Sequence, residues 1–247
     1  MGKDYSDSNE EKRRAQGVED GAPAYQAKSA LYLVADQEDQ TLQEVRNDRM
    51  ESRTGDKTIT DYLALPEDRR VELIDGVFYD MAAPTLTHQD IAGEIFVQFK
   101  TFVAKNGGSC KPYISPVDVQ LDRDDKTMVQ PDVIVVCNRD HITKARIVGA
   151  PSLVVEVMSP SSRYMDTVRK LKKYKHAGVR EYWVVFPEEQ KVLVYSFGEN
   201  SDLKSGKDAV CSVPAEYTFA DKVPVGIWNG KCQVDFAEIV RENIFSP

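Results

Sequence analysis

The polar and apolar positions settle into a regular pattern only after about residue 58. Between Arg70 and Met81 they alternate on both sides of Asp75-Gly76, the two-residue signature of a β-hairpin. From His88 to Lys105, apolar residues at Ile91, Ile95, Phe99 and Phe102, with Ala92 and Phe96 beside them, follow helical spacing. Asn106-Gly107-Gly108 supplies a stop for that helix. Strands are expected near 110–121, at 131–136 (PDVIVV) and at 152–158 (SLVVEVM). A helix over about 163–177, closed by Gly178, precedes the strand EYWVVF at 181–186, and Pro187–Gln190 turns the chain back into KVLVYSF. Earlier, Thr60 is expected to cap a short helix through Leu65, stopped by Pro66. Residues 209–240 read as short strands and a last helical turn. The core order is αβββαβ: an α/β (α+β) fold with a mixed central sheet flanked by helices, an extra N-terminal hairpin and extra C-terminal strands.

Residues 1–57 look different. Their one concentrated apolar patch is Ala30–Ala35, and charge dominates elsewhere. They are expected to form a polar, partly disordered or helical extension, leaving 58–247 as the domain. Across the 247 residues, 32 Lys and Arg face 40 Asp and Glu, a formal charge of −8 that argues against general adhesion to nucleic acid but permits a local basic groove. No apolar run is long enough to span a membrane, and the first residues lack the apolar core of a secretory signal. Four scattered cysteines, with no metal-binding spacing, read as reduced packing residues of a cytoplasmic protein. With three histidines in all, metal chemistry would have to rest on carboxylates.

Glu156 is the most informative position. It interrupts Leu153-Val154-Val155 and Val157-Met158, a run typical of a strand buried on both faces. A carboxylate there needs a partner, a proton or a cation. Asp132 opens a second apolar run, and two acids on neighbouring strands can converge on a hard divalent ion such as Mg²⁺ or Mn²⁺. The plainer readings are a strand-entry turn for Asp132 and a buried salt bridge for Glu156. In the common arrangement of metal-dependent nucleases a lysine follows the second acid by two residues, on the same strand face; here that position is Met158. The following segment, Arg163–Lys175, carries six basic residues and one acid, and its plainer reading is a solvated face. Its helical wheel does not single out Lys170, since Lys175 lies more squarely beneath the apolar stripe.

Taken together, DYLALPEDRRVELIDGVFYDMAAP, His88, PDVIVV, VVEVMSPSSRYMDTVRKLKKYKHAGVREYWVV, YTFADKVPV and VDFAEI resemble the Uma-type restriction-endonuclease-like family of the PD-(D/E)XK nuclease superfamily. The resemblance runs from about 58 to 240. It implies a restriction-endonuclease-like core and a Mg²⁺- or Mn²⁺-dependent endonuclease acting on DNA. Asp132 and Glu156, with the backbone carbonyl of Val157, would be the metal ligands, and Lys170 the substitute for the lysine missing at 158. Glu72 would be a further acid of the site, with a surface pair to Arg69 or Arg70 as its plainer reading. Arg163, Arg169, Lys172 and Lys173 would contact phosphates, and His88 and Tyr174 would join the substrate-binding set, with a helix-start or core role as the plainer reading of His88. A homodimer follows by analogy with similar enzymes. The competing expectation is a nuclease-like module without turnover, serving DNA or protein binding, its acids kept as a structural network. A two-carboxylate glycosidase is disfavoured because only Trp183 and Trp228 are available to stack on sugar.

Overall fold

The computed structural model describes residues 55–66, 68–121, 125–159, 165–197 and 213–241, with the side chains of 165–168 excepted. The expected N-terminal extension, apart from residues 55–57, lies outside these residues, as does Arg163. The first helix, α1 (Ile59–Leu63), has its cap two residues before the expected one. Thr58 is the N-cap, and its hydroxyl accepts from Asp61 N while the Asp61 carboxylate accepts from Thr58 N, a reciprocal capping box. The hairpin follows as β1 (Val71–Ile74) and β2 (Val77–Asp80). Asp75 and Gly76 both take positive φ, 50° and 77°, as the tight turn between right-twisted strands requires. The backbone of Gly55 and Lys57 already bonds to this turn (Gly55 N to Asp75 O, 2.8 Å; Lys57 N to Gly76 O, 3.1 Å).

The long helix α2 (Leu86–Asn106) is capped by Thr85 and stopped at Gly107, and it buries Ile91, Ala92, Ile95 and Phe99. Then come β3 (Lys111–Ile114), β4 (Val119–Gln120), β5 (Met128–Val129), β6 (Val133–Val136), β7 (Ile147–Val148) and β8 (Leu153–Val157). Helix α3 (Met165–Ala177) leads into β9 (Glu181–Phe186) and β10 (Lys191–Ser196). The chain ends in β11 (Ala215–Thr218), β12 (Lys222–Pro224), β13 (Gln233–Asp235) and the short α4 (Phe236–Ile239).

Six strands form one mixed sheet in the order β11-β10-β9-β8-β6-β3. Within it β3, β6 and β8 are antiparallel neighbours, and α3 carries the chain over to β9, parallel to β8. A second mixed sheet, β2-β1-β5-β4-β7, has no counterpart in the sequence reading. The hairpin is therefore one edge of a five-stranded sheet. β4 falls within the strand region expected near 110–121, whereas β5 and β7 escaped notice because each is two residues long, too short for a period to register.

Strand alternation sorts the large sheet into two cores. Val133, Val135, Leu153, Val155, Val157, Trp183 and Val185 pack with α2 and the C-terminal strands. Ile134, Val136, Val154, Met158, Tyr182 and Val184 pack instead with Leu171 and Tyr174 of α3 and with Ile74 of the second sheet. Position 156 lies between Val154 and Met158 in this alternation, so Glu156 belongs to the face that α3 covers. Glu72 shares its strand face with Ile74, whereas Leu73 packs with Ile59 and Met128 on the other side. The two acids, 84 positions apart, thus enter one interior from opposite sheets.

The reduced state expected for all four cysteines is corrected at two of them. Cys110 and Cys137 are joined by a disulfide, while Cys232 is free and buried. The strand register explains the pairing: Lys111 faces Val136, so the next residues outward stand opposite each other. A spacing of 27 residues gave no cue to it. Among the described residues no helix is long and apolar enough to cross a membrane.

Candidate active site

Where the two sheets and α3 meet, two carboxylates and one ammonium share a buried cluster. Glu72 is 4% exposed, Glu156 7% and Lys170 5%. Lys170 Nζ lies 3.0 Å from Glu156 Oε1, and 3.0 and 2.9 Å from the two oxygens of Glu72. The phenol of Tyr174 donates to the same Glu156 oxygen at 2.6 Å. Residues 170 and 174 are one helical turn apart, which brings both onto the face of α3 that meets β8. The position the nuclease pattern gives to a strand lysine, 158, also lies on that face, and α3 covers it. A cation can therefore reach Glu156 from the helix as readily as from the strand.

Two contacts from the hairpin hold α3 in this position. Lys173 Nζ pairs with Asp75 at 2.6 Å, and the Arg169 guanidinium lies over the Tyr79 ring, 4.3 Å from its centroid. Neither lines the central cavity. Lys172 is exposed on the same helix. Glu72 pairs with Lys170, while Arg69 reaches Asp80 at 3.5 Å, so the plainer surface pair expected for Glu72 does not form.

Asp132 precedes β6 by one residue, and its Oδ2 accepts the Val157 N–H at 2.7 Å. The side chain thus extends the β6–β8 ladder beyond its last backbone rung, Val133 with Val155. His88 Nε2, from the first turn of α2, lies 3.1 Å from the same Oδ2. Its Nδ1 is buried with no hydrogen-bond partner. Sequence reasoning missed Gln130, two residues before Asp132. Its backbone N–H donates to Glu72 Oε1 at 2.9 Å, and its side-chain amide donates to Tyr62 Oη and Asp118 Oδ1. Nothing in the local pattern marks a lone glutamine for such a role.

A cavity of ≈ 600 Å³ opens onto this cluster. Asp132, Glu156, Val157, Lys170, Glu72 and His88 all line it. Among the described residues of its lining, four carboxylates, Glu72, Asp80, Asp132 and Glu156, face only two lysine or arginine side chains, Lys170 and Arg70. Burial pushes the Glu156 carboxyl up to about 8; Lys170 opposes that shift, and the charges of Asp132 and Glu72 add to it. The Tyr174 phenol is likewise held well above its ordinary value by burial and the neighbouring carboxylates.

This donor set suits a hard divalent cation. Both hydrogen bonds to Glu156 use Oε1 and both contacts to Asp132 use Oδ2, so the second oxygen of each has no protein partner among the described residues. The excess of negative charge adds a reason for a cation there. Among the described residues there is no cluster of three or more His, Cys, Asp or Glu side chains ready to form an all-protein cage. An ion here would need oxygen from backbone, water or substrate as well, a familiar habit of Mg²⁺.

A pH dependence follows from Glu156. Its folded-state value, about 8, lies above the ordinary 4.5, so the folded chain holds this proton more tightly than the unfolded one. That stabilisation is complete below the ordinary value and is lost as pH rises through about 8. In EDTA, the melting temperature is expected to fall by several degrees over this interval, and Glu156→Gln to flatten the decline. An unchanged slope in that variant, followed by differential scanning fluorimetry, would assign the decline to other groups.

Residues 59–213 match the family model Uma2, described as "Putative restriction endonuclease", and the chain belongs to that family. A solved structure described as a putative nuclease belonging to DUF820, from Anabaena variabilis, superposes with a TM-score of 0.58 at 18% identity. The match covers 74% of this chain and 97% of that one, and at this identity it speaks for the fold alone. The uncharacterized protein slr1290 of Synechocystis is 27% identical over 145 residues, 58% of this chain and 75% of that protein.

Proposed function

We propose that this chain is a metal-dependent endonuclease that hydrolyses phosphodiester bonds of DNA on a restriction-endonuclease-like αβββαβ core. The observation that carries the reading is the Glu156 carboxylate, buried in mid-sheet on the same cavity as Asp132, with the Lys170 ammonium 3.0 Å away. Asp132, Glu156 and the Val157 carbonyl would hold Mg²⁺ or Mn²⁺. When bound, that ion supplies Lewis-acid polarisation of a phosphoryl oxygen and acidifies water. Lys170 orients the attacking water and stabilises the charge that builds on the phosphoryl oxygens. Tyr174 fixes the Glu156 carboxylate by its 2.6 Å hydrogen bond, and Glu72 keeps the ammonium within reach. His88 and the Val157 N–H set the orientation of Asp132. The basic residues of α3 are proposed to contact phosphates only where they remain available, which favours Lys172 over Lys173.

A second reading has its own support. Lys170 bridges two of the three acids, a closed network of the kind that could persist in a module without turnover. Supercoiled plasmid and Mn²⁺ separate the two. The hydrolase reading expects nicking that requires Mn²⁺ and falls roughly 10³-fold in both Asp132→Asn and Glu156→Gln. It also expects Mn²⁺ to raise the melting temperature of the wild type but not of Glu156→Gln. Absence of both effects would favour the silent module.

A further inference from the structure

We propose that the nucleic-acid strand leaves the carboxylate site across Arg70 and lays its neighbouring nucleotide in a second cavity beside α1. Arg70 is then the clamp for the adjacent phosphate, and the second cavity is a nucleobase subsite. The inference rests on the hydrolase reading, since it gives the substrate a path rather than a chemistry.

The second cavity, ≈ 390 Å³, shares Arg70 and Gln130 with the first and is otherwise lined by residues of α1, the loop after it, Pro116 and Asp118. Its volume falls within the range of about 300–1,000 Å³ usual for small-ligand pockets. The two spaces therefore meet at one cation and one amide. Arg70 is exposed and has no acidic partner among the described residues. Its neighbour Arg69 differs, reaching Asp80 and lying 5.8 Å from the centroid of the Phe78 ring. An uncommitted guanidinium at the rim of an acid-lined site is well matched to a phosphate oxygen.

The interior of the second cavity favours a base over a phosphate. Leu63, Leu65, Pro66 and Pro116 give it apolar walls, and Leu63, 55% exposed, offers an uncovered aliphatic face on which a base could lie. Of its charged lining, Arg69 already reaches Asp80, while Asp118 would repel a second phosphate and accept from the amino or imino edge of a base. The polar side is already ordered. Tyr62 Oη donates to Asp118 Oδ1 at 2.9 Å, and the Gln130 amide donates to both Tyr62 Oη and Asp118 Oδ1. Since the Gln130 backbone also holds Glu72, one residue fixes the subsite relative to the carboxylates.

The test uses the full chain and a fluorescein-labelled 20-mer duplex, with Ca²⁺ to permit binding without turnover. Arg70→Gln is expected to weaken binding about tenfold and to reduce the salt slope by about one phosphate. Lys105→Gln, an exposed cation at the end of α2, should change binding less than twofold. An abasic residue moved stepwise along a substrate of known cleavage point should raise KM about tenfold at one position next to the cut, and Leu63→Ala should erase that sensitivity. If Arg70→Gln binds no worse than Lys105→Gln, or abasic residues act alike at every position, the track is wrong even where Mn²⁺-dependent cleavage proceeds. Conversely, Arg70-dependent binding with no cleavage in Mn²⁺ would retain the track and overturn the hydrolase reading. DNA binding that is lost altogether in wild type would overturn both.

Discussion

Lys170→Met is expected to lower plasmid cleavage by roughly 10³-fold and, at pH 8 without divalent ions, to lower the melting temperature by about 10 °C. Methionine keeps most of the volume of the lysine stem, so the packing of this buried position is largely retained. What disappears is the charge between Glu72 and Glu156. Removing one partner of a buried ion pair costs about 3–5 kcal/mol, because the other is left desolvated and uncompensated. In a chain of this size, each kcal/mol moves the midpoint by about 2–4 °C. Protonation offers the acids partial relief, so the loss should shrink at pH 5.5. Mn²⁺ should recover more of the melting temperature in the variant than in the wild type, since the orphaned carboxylates would gain most from a cation. A variant as stable as wild type at pH 8 would show that the ammonium is not the compensating charge.

The sequence made the αβββαβ order readable because its strands are long and its helices periodic. EYWVVF at 181–186 coincides with β9 residue for residue. The second sheet was not readable, since two-residue strands exist only through their neighbours. Glu156 announced itself by contrast with its own strand, and it sits where that contrast put it, buried and beside a cation. Lys170 was different. Its wheel position was no better than that of Lys175, and only the resemblance to a family selected it. The structure supplies the missing reason: an acid at 72, on another sheet, completes its environment.

The basic face of α3 shows the same limit from the other direction. Arg169 and Lys173 read locally as solvated cations or phosphate contacts. In the fold they meet Tyr79 and Asp75, 90 and 98 positions earlier in the chain. A charge run says nothing of partners so distant. The hairpin, through Asp75 and Tyr79, thus touches the helix that carries Lys170. Among the described residues, the cation left uncommitted at the cavity rim is Arg70, which no periodicity marked.

Moving the cation back onto the strand tests whether its charge or its address matters. Position 158 follows Glu156 by one strand period, is 6% exposed, and packs in the core beneath α3. Adding Met158→Lys to Lys170→Met is therefore expected to restore cleavage at least tenfold above the single variant, and to recover part of the lost stability at pH 8. Met158→Lys alone should do the opposite. Two ammonium groups would then crowd one carboxylate pair, so both melting temperature and cleavage should fall. Met158→Leu separates charge from volume, because a volume-conserving swap costs less than about 1.5 kcal/mol. Single-turnover cleavage and thermal unfolding of the four proteins decide the matter. Recovery would make strand and helix equivalent origins for one cation at one place. If the double variant folds, binds Mn²⁺ and still fails to cleave, that equivalence is wrong, and the helix contributes through Tyr174 and its hold on Glu156 as well as through Lys170.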